Sequence, residues 1–176
     1  MTAIRQTRKG FTLIEILIVV IILGILAAIV IPQFTNASKE AKQSSLVTMV
    51  QSLRSQVALF KLQHNDMLPG ATALKDTGGT WAESAFWDQL TKFSKLDGAT
   101  AAAKDTTAGF VYGPYMQSTP VNPLVVTANA SKVKDAAFDP TATTSYTGFG
   151  FIYDYNGGAG SGKVWGVDAN GVLIAQ

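Results

Sequence analysis

The 176-residue chain contains no cysteine and a single histidine, His64. Without cysteine there is no disulfide framework, thiolate zinc site or cysteine nucleophile, and one histidine excludes a multi-histidine metal centre. Charge is also scarce. Only 15% of residues are Asp, Glu, Lys or Arg, and the net charge is +2. That is too little to hold nucleic acid by neutralising phosphates, so no nucleic-acid partner is expected. The length suits one modest domain with an accessory element, not two full domains. What the chain does have is apolar side chains, 47% of the total, and they are unevenly placed.

Residues 1–10, MTAIRQTRKG, carry Arg5, Arg8 and Lys9 and no acid. From Phe11 to Ile31 the sequence reads FTLIEILIVVIILGILAAIVI, with Glu15 as its only charge. As a helix rising ~1.5 Å per residue this stretch spans roughly 30 Å, the thickness of a bilayer hydrocarbon core. The β-branched run Ile18–Ile22 weakens a helix in water, but lipid forces every backbone N–H and C=O to pair within the segment. A carboxylate in mid-membrane costs about 2.5–3.5 kcal/mol. The sixteen Ile, Leu, Val and Phe residues here return about 5–10 kcal/mol, so insertion wins. A secretory signal peptide has a shorter apolar core and a small-residue cleavage site after it. Here the core is long and runs into helical sequence. The basic flank keeps residues 1–10 in the cytoplasm and sends the rest outside, a bias that Lys39 and Lys42 weaken.

Lys9-Gly10-Phe11-Thr12-Leu13-Ile14-Glu15 resembles the processing motif of type IV pilins and type II secretion pseudopilins. The resemblance covers about residues 5–40 and is closest to the major, protein G type of pseudopilin. It implies that a prepilin peptidase cuts between Gly10 and Phe11, that Phe11 becomes N-methylated, and that Glu15 is the acid of the motif. Pro32 sits where the family kinks its long helix. On this reading the new amine of Phe11 meets Glu15 of a neighbouring subunit, and an acid unpaired in low dielectric penalises every other register. Cleavage removes Arg5, Arg8 and Lys9, taking the net charge from +2 to about −1.

Past Pro32 the chain turns polar but keeps a helical rhythm. Leu46, Val50, Leu53, Val57 and Phe60 recur at spacings of four and three, one face of a helix. A continuous helix from Phe11 to about Gln63 would be roughly 80 Å long, its first half an anchor and its second half an apolar stripe beneath a head. Pro32 lacks an N–H and should kink or loosen it. Residues 65–80 read as a loop, with breakers at Pro69-Gly70 and Gly78-Gly79. Thr80-Trp81-Ala82-Glu83 fits a capping box opening a short helix, with Ala82, Phe86, Leu90 and Phe93 inward and Gly98 as the stop. Gly113-Pro114-Tyr115-Met116 through Pro123 reads as extended and resembles a segment of pseudopilin heads. Phe149, Phe151, Tyr153 and Tyr155 alternate with other residues, then Val164–Val167 and Val172–Ile174 follow around Asn170-Gly171, a hairpin signal. The expected fold is α+β and pilin-like: leader 1–10, long helix 11–64 with its membrane part at about 11–31, and a head over 65–176. The head should hold three or four antiparallel strands on the helix.

Chemical motifs are weak. Gly157 to Lys163 satisfies most of a phosphate loop, but Val164 replaces the magnesium-holding hydroxyl and a strand follows instead of a helix. Asp154-Tyr-Asn156-Gly157 and Asp168-Ala-Asn170-Gly171 resemble the start of a calcium loop, yet position twelve after Asp154 is Trp165. Asn122-Pro123-Leu124-Val125 replaces the segment beside which major pseudopilins bind calcium. No cofactor is therefore expected, with calcium as the alternative. His64 reads as a helix C-terminal cation, and Trp81, Trp87 and Trp165 as core, against a stacking surface for carbohydrate or single strands. The whole describes a non-enzymatic subunit of a type II secretion pseudopilus, anchored once in the inner membrane. Its implied partners are further copies, minor pilins or pseudopilins, the prepilin peptidase, the assembly platform and lipid. The alternatives are a type IV pilin and a membrane-anchored enzyme or binding protein with a pilin-like N-terminus.

Overall fold

The computed structural model describes residues 10–71, 80–126, 128–136, 145–155 and 160–174. Arg5, Arg8 and Lys9, the Gly78-Gly79 breaker, Asn156, Gly157 and the Thr-rich stretch 141–144, which the sequence suggests is a solvent-facing loop, lie outside them. The chain forms two compact units, Met1–Glu40 and Ala41–Gln176. Helix α1 spans Leu13–Gln63. Its part in the first unit is helical throughout, Ile18–Ile22 included, and every side chain there is exposed. The helix continues unbroken through Pro32, whose ring removes the N–H that the Ala28 carbonyl would accept.

In the second unit the stripe read from the sequence is the spine of the core. Leu46, Val50, Leu53, Val57 and Phe60 are all buried. Helix α1 stops after Gln63, and Asn65 follows with φ of 53°, the left-handed geometry that ends helices and that asparagine tolerates. A second helix, α2 (Glu83–Thr91), turns Phe86 and Leu90 inward as expected, together with Trp87 and Gln89. Two further details of its reading are corrected. The cap position is Ala82 and not Thr80, since α2 begins at Glu83, whose carboxylate accepts the Val133 N–H at 3.1 Å. The helix also ends at Thr91 and not near Gly98: Lys92 is extended, and Phe93-Ser94 becomes strand β1, paired antiparallel with β2 (Thr100–Ala101).

The main sheet has the order β3 (Val133–Asp135), β4 (Phe151–Tyr153), β5 (Val164–Val167), β6 (Leu173–Ile174). The last three form the expected antiparallel meander. Strand β3 differs: it joins β4 in parallel, Val133 opposite Phe151. A parallel neighbour needs a long crossover in place of a tight turn, and the 136–150 connection is long enough. The two faces of the sheet are both covered. Phe151, Tyr153 and Val164 pack with the α1 stripe, while Ile152, Trp165 and Val167 form a second cluster with Tyr146. Period-two alternation along the strands produces this division. Gly166 faces α1 so closely that a Cβ would lie 2.7 Å from Leu46 Cδ2.

The Asn170-Gly171 hairpin forms with a longer loop than the two-residue turn that such a pair favours. Asp168 N–H donates to Val172 O at 2.9 Å, Gly171 N–H to Asp168 O at 3.0 Å, and Gly171 has φ of +80°. That is a three-residue loop closed by a left-handed glycine.

Candidate processing and assembly site

Gly10 and Phe11 precede the helix, both exposed, with Phe11 81% accessible. Thr12 starts α1. Its hydroxyl donates to Glu15 Oε2 at 2.7 Å, its backbone N–H donates to the same oxygen at 2.8 Å, and Glu15 N–H returns a bond to Thr12 Oγ1 at 3.3 Å. This reciprocal pattern is a capping box, satisfying two orphan N–H groups at a helix start with one short motif. The structure thus places Gly10 and Phe11 immediately before the helix and Glu15 in its first turn, and leaves Pro32 well along it. Thr12 was not singled out in the sequence, although its spacing of three from Glu15 carries the capping signal.

Chemically, the arrangement is a carboxylate held at the positive end of a helix dipole, beside an accessible Gly10–Phe11 peptide. The helix behind it is long and apolar enough to cross a membrane, and none of its apolar stretch is buried by the protein. The protein is therefore membrane-anchored through this segment.

The head offers less that is reactive. The expectation of a terminal cation at His64 is corrected: the residue is fully buried, stacked on Phe60 with ring centroids 3.8 Å apart. Its Nδ1 lies 2.9 Å from Phe60 O and its Nε2 3.0 Å from Ser94 Oγ. A carbonyl only accepts, so Nδ1 carries the proton and Nε2 accepts from the serine. Burial holds the imidazole below its ordinary range, which favours the neutral ring. Tyr115 hydroxyl donates to Gln63 Oε1 at 2.6 Å, and burial pushes it up to about 12. Trp87 and Trp165 are buried, and Trp81 packs against the main core, as expected.

The Asp168 carboxylate accepts Asn170 and Val172 N–H groups, and Asp154 accepts the N–H and hydroxyl of Ser161. Asn122, at the position compared with a calcium-binding segment, is fully buried. Its amide donates to Gly150 O and Val167 O, both at 2.7 Å, and its Oδ1 accepts Leu124 N–H. It acts as a polar bolt across the sheet, a role no local sequence signal announces. Within the Gly157–Lys163 stretch, Gly160 and Gly162 donate backward to Tyr155 O and Asp154 O and β5 follows.

The family described as the prokaryotic N-terminal methylation motif matches residues 5–31. The type II secretion system core protein G of Klebsiella michiganensis is 36% identical over 61 residues, 35% of this chain and 43% of that protein. A fimbrial protein of Pseudomonas aeruginosa is 40% identical over 72 residues, 41% and 46% respectively. The type IV narrow pilus major component PilA5 of Thermus thermophilus is 33% identical over 82 residues, 43% of this chain and 71% of that one. The matched stretch spans less than half the length of the core protein G relatives. No solved structure matches. A capped apolar helix bearing an α+β head defines a helix-anchored subunit. The chain belongs to the type IV pilin and pseudopilin family.

Proposed function

We propose that this chain is the precursor of a structural subunit of a type II secretion pseudopilus, working without catalysis and without a cofactor. The observation that carries the reading is the Thr12–Glu15 cap at the start of an unburied, membrane-length helix, directly after Gly10-Phe11. The leader lies in the cytoplasm and the head outside the inner membrane. A prepilin peptidase hydrolyses the Gly10–Phe11 peptide, and the new amine of Phe11 is methylated. In the lipid-embedded precursor, Thr12 keeps the Glu15 carboxylate from being unpaired. In the filament the amine of an axially offset neighbour takes that role, and the register in which charge meets charge is the one that survives. Copies of the chain, minor pseudopilins and the assembly platform are the partners, with lipid around the helix before extraction.

Three features favour the pseudopilus: a short head, the Gly113-Pro114-Tyr115 segment and the absence of cysteine. The second reading, a type IV pilin, is supported by the PilA5 alignment, which covers 71% of that pilus component. Co-expression with a prepilin peptidase, followed by intact-mass analysis of the membrane-extracted protein, tests processing. The expected product begins at Phe11 and carries one added methyl group. A chain still beginning at Met1 beside an active peptidase overturns the proposal.

A further inference from the structure

We infer that a cationic groove on the flank of α1 receives the Leu96-Asp97 turn of a second copy of this chain. The inference rests on the filament reading above and names a surface that would carry it. The groove, about 390 Å³, lies between the Arg54–Lys61 stretch of α1 and the 161–163 loop. Val57, Ala58 and Leu68 form its apolar lining, with Arg54, Lys61 and Lys163 around them. Gly162, at φ of +70°, lets the loop lie close against Leu68 and the helix: a Cβ there would lie 2.7 Å from Leu68 Cδ2 and 3.6 Å from Val57 Cγ1.

Among the described residues no carboxylate lines this groove. Asp154, the nearest acid in the loop's hydrogen bonding, is engaged by the Ser161 hydroxyl at 2.6 Å. Arg54 Nε donates to Val164 O at 2.8 Å, which fixes the guanidinium while leaving its terminal N–H groups available. Among the described residues the ion pair is Lys92 with Asp88, so these three cations have no carboxylate partner there. Like charges gathered without a counter-charge repel, and an incoming carboxylate relieves that.

The occupant must therefore present a carboxylate beside an apolar side chain. Arg5, Arg8, Lys9 and Lys39, with Glu15 and Glu40, fall in residues 1–40, so from Ala41 onward basic and acidic residues are equal in number. A neutral head with a cationic groove carries surplus acid elsewhere on its own surface, which favours a second copy. In the β1–β2 turn Leu96 is 52% exposed and Asp97 is exposed beside it. The turn is firmly held. Lys95 N–H donates to Ala99 O and Gly98 N–H to Lys95 O, both at 2.9 Å, and the buried Gln89 amide donates to Gly98 O at 2.9 Å. Lys95, the turn's only cation, lies over the Phe110 ring at 4.5 Å and does not pair with Asp97. The comparable Asp168–Val172 turn fits less well: Asp168 is half-buried and its Oδ1 takes two backbone N–H groups, where Asp97 Oδ1 takes one, from Ala99 at 3.0 Å. Groove and turn are separate patches of one head, so the contact is heterologous and adds copies in one direction, as a filament requires.

The native absence of cysteine gives a clean test on the full chain, expressed with its peptidase and assembly proteins. Ala58→Cys combined with Leu96→Cys should yield, on oxidation, a ladder of disulfide-linked multimers that neither single substitution yields. On that background Lys61→Asp and Asp97→Lys should each abolish the ladder, and together restore it. Filaments visible by electron microscopy without a ladder or charge dependence would overturn the groove contact while leaving the filament reading intact. Cross-linked dimers without higher multimers would overturn it as well, since a heterologous contact propagates. An unsubstituted chain that forms no filaments overturns the filament reading, and the groove contact falls with it.

Discussion

His64 and Asn122 show how single polar side chains hold this head together. His64 is enclosed with Phe60, Ser94, Tyr112 and Tyr115 about it, and burial depresses its proton affinity. The unfolded chain, with an ordinary imidazole near 6.5, therefore binds more protons than the folded one in acid. The stabilisation is fully present above 6.5 and declines as pH falls from there through the lower folded value. Thermal melts followed by near-UV circular dichroism should show the midpoint dropping over that window, and His64→Gln should flatten the dependence. An unchanged slope in the variant would assign the acid sensitivity elsewhere. For Asn122, substitution by Ala removes the donor to the Val167 carbonyl and leaves Gly150 O with only the Val167 N–H, with an expected loss of about 1–3 kcal/mol in urea titrations. Asn122→Asp should cost more than Ala, because it sets a carboxylate against two carbonyl oxygens. His64 was visible in the sequence only as a residue near a helix end. Its neutral state follows from burial among residues distant in the chain, Ser94 among them, thirty residues away.

At the scale of elements, α1 was the most legible part of the chain and the sheet the least. Leu46 to Phe60 repeat with the helix's own period, so the buried face follows from local geometry. The parallel placement of β3 does not, since β3 has three residues and its neighbour is chosen by packing and by Glu83, which caps its first N–H from α2. Gly166 links the two elements: its missing side chain lets β5 approach α1 at Leu46. Gly166→Ala should destabilise the head by about 1–3 kcal/mol through overpacking. Leu46→Val, harmful alone, should recover part of that loss in the double variant. Strict additivity of the two changes would mean that this close approach is not what constrains the site.

At the scale of the whole molecule, the features that matter are the apolar segment and the acid near its start. Glu15→Leu makes the segment wholly apolar, so membrane extraction should remain complete, while pelleted filaments should be lost because no carboxylate remains to select the register. Filaments at the unsubstituted level would remove the pairing argument and leave insertion untouched. The sequence by itself determined the anchor, its basic flank, the Gly10-Phe11 junction, Glu15 and the stripe of α1, because each depends on composition or on neighbours within a turn or two of helix. Only the tertiary structure decided the parallel edge strand, the neutral state of His64, the bolt made by Asn122 and the gathering of Arg54, Lys61 and Lys163 around one groove. Those features arise from residues far apart in the chain, brought together when burial of the core fixes how sheet, loops and helix pack.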